Sequence, residues 1–234
     1  MITKINATLK EIKQIAEGTK EITLIPEEDF IFILGQYLRI EVPQLQTEGK
    51  KSLPFSIASP PYSISSPLNE KEIKIAFREG ISDFKKFIQN ENNVGEKIII
   101  QGPFGRMALP SEEEEKSEIV FIAGGIGITP FMDLIPYSLK NHQHKITLLY
   151  SNKLKERAAY LEELKFLEEK HEKFKIIDTY KRIDADFINS KIENLQNKIF
   201  YICGTIEMVD TIKSILESLE IPKEKIHFEK FSGY

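Results

Sequence analysis

The chain has 234 residues, of which 41% are hydrophobic, with one cysteine and a formal charge of −4 at neutral pH. An acidic balance argues against nucleic acid as a partner, which selects a basic field, and a single cysteine excludes an intramolecular disulfide, a structural zinc set or an iron–sulfur cluster. No apolar run reaches the roughly 18 residues that a membrane span needs, and residues 1–13 lack the apolar core of a signal peptide, so a cytoplasmic, reducing setting is expected.

In the first half, short β segments are predicted at Ile22–Pro26, Tyr37–Val42, Phe55–Ala58, Ile73–Arg78 and Lys97–Gly102. Glycine, proline and serine punctuate them, the texture of a small antiparallel barrel or sandwich. One helix is predicted from Ser82 to Asn90, with Phe84, Phe87 and Ile88 on one face. Pro110-Ser111 then leads into the acidic run Glu112–Glu115, read as a solvated linker. The boundary is placed near Ser111–Ser117, giving domains 1–112 and 113–234.

From Ile119 the pattern alternates. Strands are predicted at Ile119–Ala123, Ile146–Tyr150, Lys175–Thr179 and Ile199–Cys203, and helices at Pro130–Lys140, Ala158–His171 and Met208–Leu219. Such βαβ alternation implies a doubly wound parallel sheet. The fold expected is therefore an N-terminal antiparallel β-barrel followed by a doubly wound α/β domain.

Ile119–Phe131 reads IVFIAGGIGITPF, an apolar strand that breaks into Gly124, Gly125 and Gly127. Thr129 suits an N-cap and Pro130 the first helical position. Backbone N–H groups at such a turn, with the helix dipole behind them, favour an anion such as a pyrophosphate. On its own, a glycine turn of this kind also serves simply for tight packing. His142 and His144 have no carboxylate or thiol at ligand spacing, and His171 and His227 read as surface or interface residues, so no metal site is expected.

Further motifs stand in order around this turn: GQYL (35–38), PFSIAS (54–59), Gly95-Glu96 with GPFG (102–105), YICGT (201–205) and an aromatic C-terminus. Together with AGGIGITPF (123–131) they make the whole chain resemble the ferredoxin–NADP reductase family. The resemblance implies a flavin-binding barrel for FAD or FMN, a second domain for NADPH or NADH, and hydride transfer between the two cofactors at the interface. Electrons would then pass to ferredoxin, flavodoxin, free flavin or an oxygenase partner. It also implies roles for particular residues. Pro54, Phe55, Ser56 and Ile57 would lie along the isoalloxazine, with Ser56 near N5. Gly80 and Ser82, aided by Arg78, would hold the flavin phosphate. Gly124, Gly125, Gly127, Thr129 and Pro130 would hold the nicotinamide dinucleotide's pyrophosphate. Cys203 would sit beside the nicotinamide C4, with Gly204 and Thr205 letting the dinucleotide approach closely. Phe231 or Tyr234 would stack on the flavin, and Glu229 would donate a proton or touch the nicotinamide.

Two departures from the family pattern stand out. The family arginine that pairs with the flavin phosphate is Leu53 here, and the usual tyrosine is Phe55. Losing a charged hydrogen bond costs roughly 1.5–3 kcal/mol, or about 10- to 100-fold in affinity. Lys50 and Lys51 lie nearby as weaker substitutes. Either the flavin exchanges like a substrate, or the chain is a non-catalytic regulatory or electron-transfer module. Roughly 20 residues beyond the glycine turn, where an acid would read the ribose 2′-hydroxyl, stand Tyr150, Ser151, Asn152 and Lys153. Ser151, Lys153, Lys155 and Arg157 lean toward NADPH, or toward an ordinary basic helix start on the surface.

Overall fold

The computed structural model describes residues 2–45, 52–59, 71–105, 107, 109, 118–141 and 144–231. Lys50, Lys51, the acidic run 112–115, His142 and Tyr234 lie outside the described residues. The chain divides into two compact units between residues 108 and 109.

The first unit contains β1 (Thr3–Ala16), β2 (Thr19–Pro26), β3 (Tyr37–Glu41), β4 (Ser52–Ser56), β5 (Ile73–Arg78), α1 (Asp83–Ile88) and β6 (Lys97–Phe104). They form one antiparallel sheet in the order β4-β3-β6-β1-β2-β5. Just past β4, Ile57 bridges Ile75 of β5, so the two outer strands meet and the sheet closes into a barrel. The seam is completed by the Ala58 N–H donating to the Lys74 carbonyl at 2.8 Å and the Lys74 N–H donating to Ser59 Oγ at 3.1 Å. Alternate strand residues, among them Ile5, Ala7, Leu9, Leu38, Ile40, Ile98 and Ile100, fill the interior. This is the period-two placement expected of strands with one buried face. The helix α1 starts where Ser82 Oγ accepts the Lys85 N–H at 3.2 Å, and it buries Phe84 and Ile88 on the barrel.

The second unit runs β7 (Glu118–Gly124), α2 (Phe131–Asn141), β8 (Ile146–Ser151), α3 (Leu161–Lys170), β9 (Phe174–Thr179), α4 (Ala185–Lys191), β10 (Lys198–Thr205), α5 (Ile206–Ser218) and β11 (Ile226–Phe231). The sheet is parallel throughout, in the order β11-β10-β7-β8-β9. The chain therefore builds outward from β7 through β8 to β9, then returns to β7's other side for β10 and β11. The order reverses between β7 and β10, and that reversal opens a crevice at the carboxyl ends of the strands. One face of the sheet and α5 share a core of Val120, Ile122, Phe200, Ile202, Val209, Ile212 and Leu216. Among the described residues, no helix is long and apolar enough to cross a membrane.

Several expectations need correction. β1 was not foreseen, because only Ile5, Ala7 and Leu9 of its fourteen residues are buried and its second half is mostly polar. α4 was also missed, being short and largely exposed. The segment at Ala158 is not yet helical, since Tyr160 takes a left-handed φ of 60° and α3 begins after it. The aromatic C-terminal segment, expected as a docked tail, contributes a strand: β11 pairs with β10 from Phe200↔Ile226 to Thr205↔Phe231.

Candidate functional site

At the end of β7 the chain enters a 3-10 turn, Gly125–Ile128, with Gly125 at φ +55°, where glycine carries no side-chain penalty. Thr129 does not cap α2 as expected. Its hydroxyl donates to the Ile126 carbonyl at 2.7 Å, and its N–H donates to the same oxygen at 3.1 Å, so Thr129 closes the turn instead. Pro130 follows as a buried turn residue, and α2 begins at Phe131. The preceding 3-10 turn already uses the Thr129 hydroxyl, which explains the change.

The glycines of this turn answer to packing. A Cβ at Gly127 would stand 2.3 Å from the Cys203 carbonyl oxygen and 2.8 Å from the Gly204 nitrogen. Cβ atoms at Gly124 and Gly204 would stand 2.1 and 2.8 Å from the Met208 sulfur. The turn is thus clasped against the end of β10 and the start of α5. The Tyr150 hydroxyl adds a tie from β8, 3.1 Å from the carbonyls of both Gly125 and Ala159.

Beside the turn, at the carboxyl edge of the sheet, lies a cleft of about 190 Å³ open to solvent. Its floor is apolar, from Ile183, Met208 and Ile212, and its rim is polar, with Ser151, Arg182, Thr205 and Glu207. Ser151 and Thr205 end their strands, Arg182 and Ile183 follow β9, and Glu207, Met208 and Ile212 belong to α5, so the cleft lies at the edge where an open α/β sheet binds its ligands. Thr205 caps α5, its Oγ1 accepting the Met208 N–H at 3.3 Å. Ser151 Oγ donates to the Lys181 carbonyl at 2.9 Å, which fixes the loop that carries Arg182. Arg182 Nη2 lies 3.5 Å from Glu207 Oε1. A concave apolar floor with a few convergent polar groups is the general form of a small-molecule site.

Of the residues expected at the nicotinamide side, the structure brings Ser151 and Thr205 into this cleft. Lys153 is exposed and Arg157 half-buried, and neither lines it. Cys203 is fully buried, and burial, followed by the nearby Glu229 charge, pushes its thiol well above its ordinary range. Glu229 stands opposite Cys203 in the β10–β11 register, and Phe231 opposite Thr205. Arg182 and Glu207 were missed because neither sits in a motif; only the fold brings the loop after β9 to the first turn of α5.

In the first unit, Phe55 points into the barrel. Its ring lies 5.9 Å from Phe77, edge-on, and 6.0 Å from Phe84, stacked. The Lys85 ammonium rests over these aromatic faces, 4.4 Å from the Phe77 centroid and 5.3 Å from that of Phe55. Lys85 is only 4% exposed, and burial lowers its pKa to about 8. Ser56 is buried at 4% and pairs with Tyr37 across β3–β4, Pro54 is half-buried on the strand face opposite Phe55, and Ile57 makes the closing bridge. The phosphate-loop residues are already engaged locally. The Gly80 N–H donates to Gln89 Oε1 and its carbonyl accepts from Gln89 Nε2, both at 3.1 Å. Arg78 donates to Thr19 Oγ1 and reaches the Glu17 carbonyl at 3.4 Å.

The family model for an oxidoreductase NAD-binding domain matches residues 121–214, which include the glycine turn and every residue of the cleft rim. Flavohemoprotein A of Dictyostelium discoideum is 27% identical over 216 residues, 86% of this chain and 52% of that protein. The chain spans about half the length of several curated relatives it matches. Among solved structures, the flavohem-like FAD/NAD binding domain of nitric oxide dioxygenase from Vibrio cholerae superposes with a TM-score of 0.81 at 20% identity, covering 98% of this chain and 99% of that one. Ferredoxin-NADP+ reductase from Plasmodium falciparum gives 0.80 at 19% identity, covering 98% and 97%. A closed antiparallel barrel and a parallel sheet that reverses between β7 and β10 give the chain the fold of ferredoxin-NADP+ reductase, and residues 121–214 match an oxidoreductase NAD-binding domain.

Proposed function

We infer that this chain is an NAD(P)H-dependent flavin oxidoreductase, with residues 1–112 taking FAD, or FMN in its place, and residues 113–234 taking NADPH or NADH. The observation that carries this reading is the cleft at the switch point of the parallel sheet, set beside the glycine turn. Its apolar floor suits a base and its charged rim suits a ribose and its phosphates, so the residues present fit a nicotinamide dinucleotide. A flavin supplies the redox chemistry that side chains lack, accepting a hydride from reduced nicotinamide and passing electrons on.

The roles of the chain's own residues follow from their chemistry. Ser56 would offer a small hydroxyl to flavin N5 without blocking the incoming nicotinamide. Cys203, buried and protonated, would act by shape as part of the nicotinamide seat, and Gly204 and Thr205 would admit the dinucleotide backbone. Glu229 would act as a proton donor or nicotinamide contact, and Phe231 or Tyr234 as a stacking partner. Gly124, Gly125, Gly127, Thr129 and Pro130 would shape the pyrophosphate seat. At the flavin phosphate, Ser82 keeps its hydroxyl proton for donation, while Gly80 and Arg78 must exchange present partners to help. With Leu53 uncharged, these residues fit an exchangeable flavin better than a permanently held one.

The Plasmodium neighbour is named for ferredoxin, and the Vibrio neighbour is a domain of a dioxygenase. An electron acceptor of either kind, flavodoxin or free flavin itself, would complete the reaction here, in a cytoplasmic setting. The test is consumption of NADPH or NADH by the purified chain with added FAD or FMN. Turnover is expected in at least one of the four combinations, and none in any of them would leave only the non-catalytic reading.

A further inference from the structure

The floor of the switch-point cleft carries a sulfur, that of Met208 in the first turn of α5. The side chain is half-buried and packs against the core that α5 shares with the sheet. Its sulfur rests on bare glycine. Cβ atoms at Gly124, which ends β7, and at Gly204 of β10 would stand 2.1 and 2.8 Å from it. The sheet reverses between these two neighbouring strands, so the sulfur lies over the switch point itself. We propose that Met208 is an oxidation-sensitive site: hydrogen peroxide converts its thioether to the sulfoxide, which shuts nucleotide out of the cleft, and reduction of the sulfoxide reopens it. This rests on the nucleotide reading of the cleft given above.

In this step the sulfur lone pair attacks one peroxide oxygen. The S–O bond forms as the O–O bond breaks, and the departing hydroxide takes up the remaining proton and leaves as water. Sulfur loses two electrons and the peroxide gains them. An apolar side chain thereby becomes a polar one. The glycine side of the sulfur has no room for the new oxygen, because a single added carbon on either glycine would already overlap it. Thr205 Oγ1 accepts the Met208 N–H at 3.3 Å and holds the first turn of α5 in place, so the backbone gives no relief. The oxygen is therefore directed into the cleft. There it makes polar a floor that Met208 forms with Ile183 and Ile212, and covering it with a base costs its hydration. It also turns the negative end of the S–O dipole toward a site that must receive phosphates. The chain's other described sulfurs are worse placed. Cys203 is fully buried, with its thiol pushed well above the ordinary range, which makes it a poor target for peroxide. Met107 is buried, and half-buried Met132 does not line the cleft.

The test treats the full chain with hydrogen peroxide, without flavin, and measures NADP+ and NAD+ binding by calorimetric titration before and after. Cys203 and Met208 share the tryptic peptide Ile199–Lys213, so tandem mass spectrometry locates the added oxygen from fragment ions. The oxygen is expected on Met208, with nucleotide affinity lowered about tenfold or more and the circular dichroism unchanged. Methionine sulfoxide reductases A and B, one for each epimer, should together restore the affinity. Met208→Leu, close in volume and without sulfur, should bind equally before and after peroxide, whatever its starting affinity. Met132→Leu should lose affinity on treatment as the wild type does. Four results overturn the inference while leaving the nucleotide site standing: Met208 left unoxidised, its sulfoxide formed with affinity unchanged, a chain unfolded by the treatment, or a loss that persists in Met208→Leu or survives the reductases. Binding of neither nucleotide to the untreated wild type overturns the nucleotide reading and this inference with it.

Discussion

Gly127 lies against Cys203: a Cβ built on the glycine would stand 2.3 Å from the Cys203 carbonyl oxygen, closer than any real Cβ contact. The clash is with backbone, which no side-chain rotation relieves. Gly127→Ala must therefore prise the 3-10 turn from the end of β10. Overpacking of this kind costs about 1–3 kcal/mol, and the loss should appear as a lower denaturation midpoint with an unchanged denaturant slope. An unshifted midpoint would mean that the turn is not clasped as described.

Cys203 sits at the centre of the same contact, fully buried, with its thiol pushed up by burial and by Glu229. A thiol so placed is a poor thiolate and therefore a poor nucleophile. Alkylation by iodoacetamide near neutral pH, followed by mass spectrometry, should leave the folded chain unmodified and label it fully in denaturant. Rapid labelling of the folded chain would contradict the buried placement.

Lys85 gives a pH signature to the barrel. Its pKa falls from 10.5 to about 8 on burial, so between those values the unfolded chain binds a proton that the folded chain does not. Stability from this group rises with pH across that window, and below it the folded state carries a buried ammonium at a cost. Lys85→Met removes the cost, so the variant should be more stable at neutral pH by something of order 2–3 kcal/mol, less what the aromatic faces return. The advantage should shrink as pH rises toward 10.5. Urea denaturation of both proteins across that range measures it, and a variant no more stable at neutral pH contradicts the account.

Leu53 is half-buried against the barrel core, and on the function proposed above a charge there would reach the flavin phosphate. Leu53→Arg should tighten FAD and FMN by about tenfold or more and leave riboflavin, which has no phosphate, unchanged. Fluorescence titration distinguishes the three ligands. Equal tightening of riboflavin would show that the effect is not on the phosphate.

Most of this architecture was legible in local pattern. Ile73–Arg78 alternates as an antiparallel strand should, and the continuous apolar runs of β7 and β10 mark strands buried on both faces. What escaped lacks a local signature. β1 buries three side chains in fourteen and owes its place to pairing with β2 and β6. β11 was obscured by its aromatics, although register with β10 decides its state. Glycine marked the turn correctly, but the partners that require it, the Cys203 carbonyl and the Met208 sulfur, come from β10 and α5. The Arg182–Glu207 pair is non-local in the same sense.

The central claim is that the chain catalyses hydride transfer from a nicotinamide to a flavin. Anaerobic mixing of the flavin-loaded chain with NADPH or NADH, followed through loss of the oxidised flavin's visible absorbance, tests it most directly. The account predicts bleaching with at least one of the two, much faster than the same mixture without protein, and slowed when Ser56 is replaced by alanine. Bleaching no faster than in the protein-free control, with both ligands shown to be bound, would contradict it.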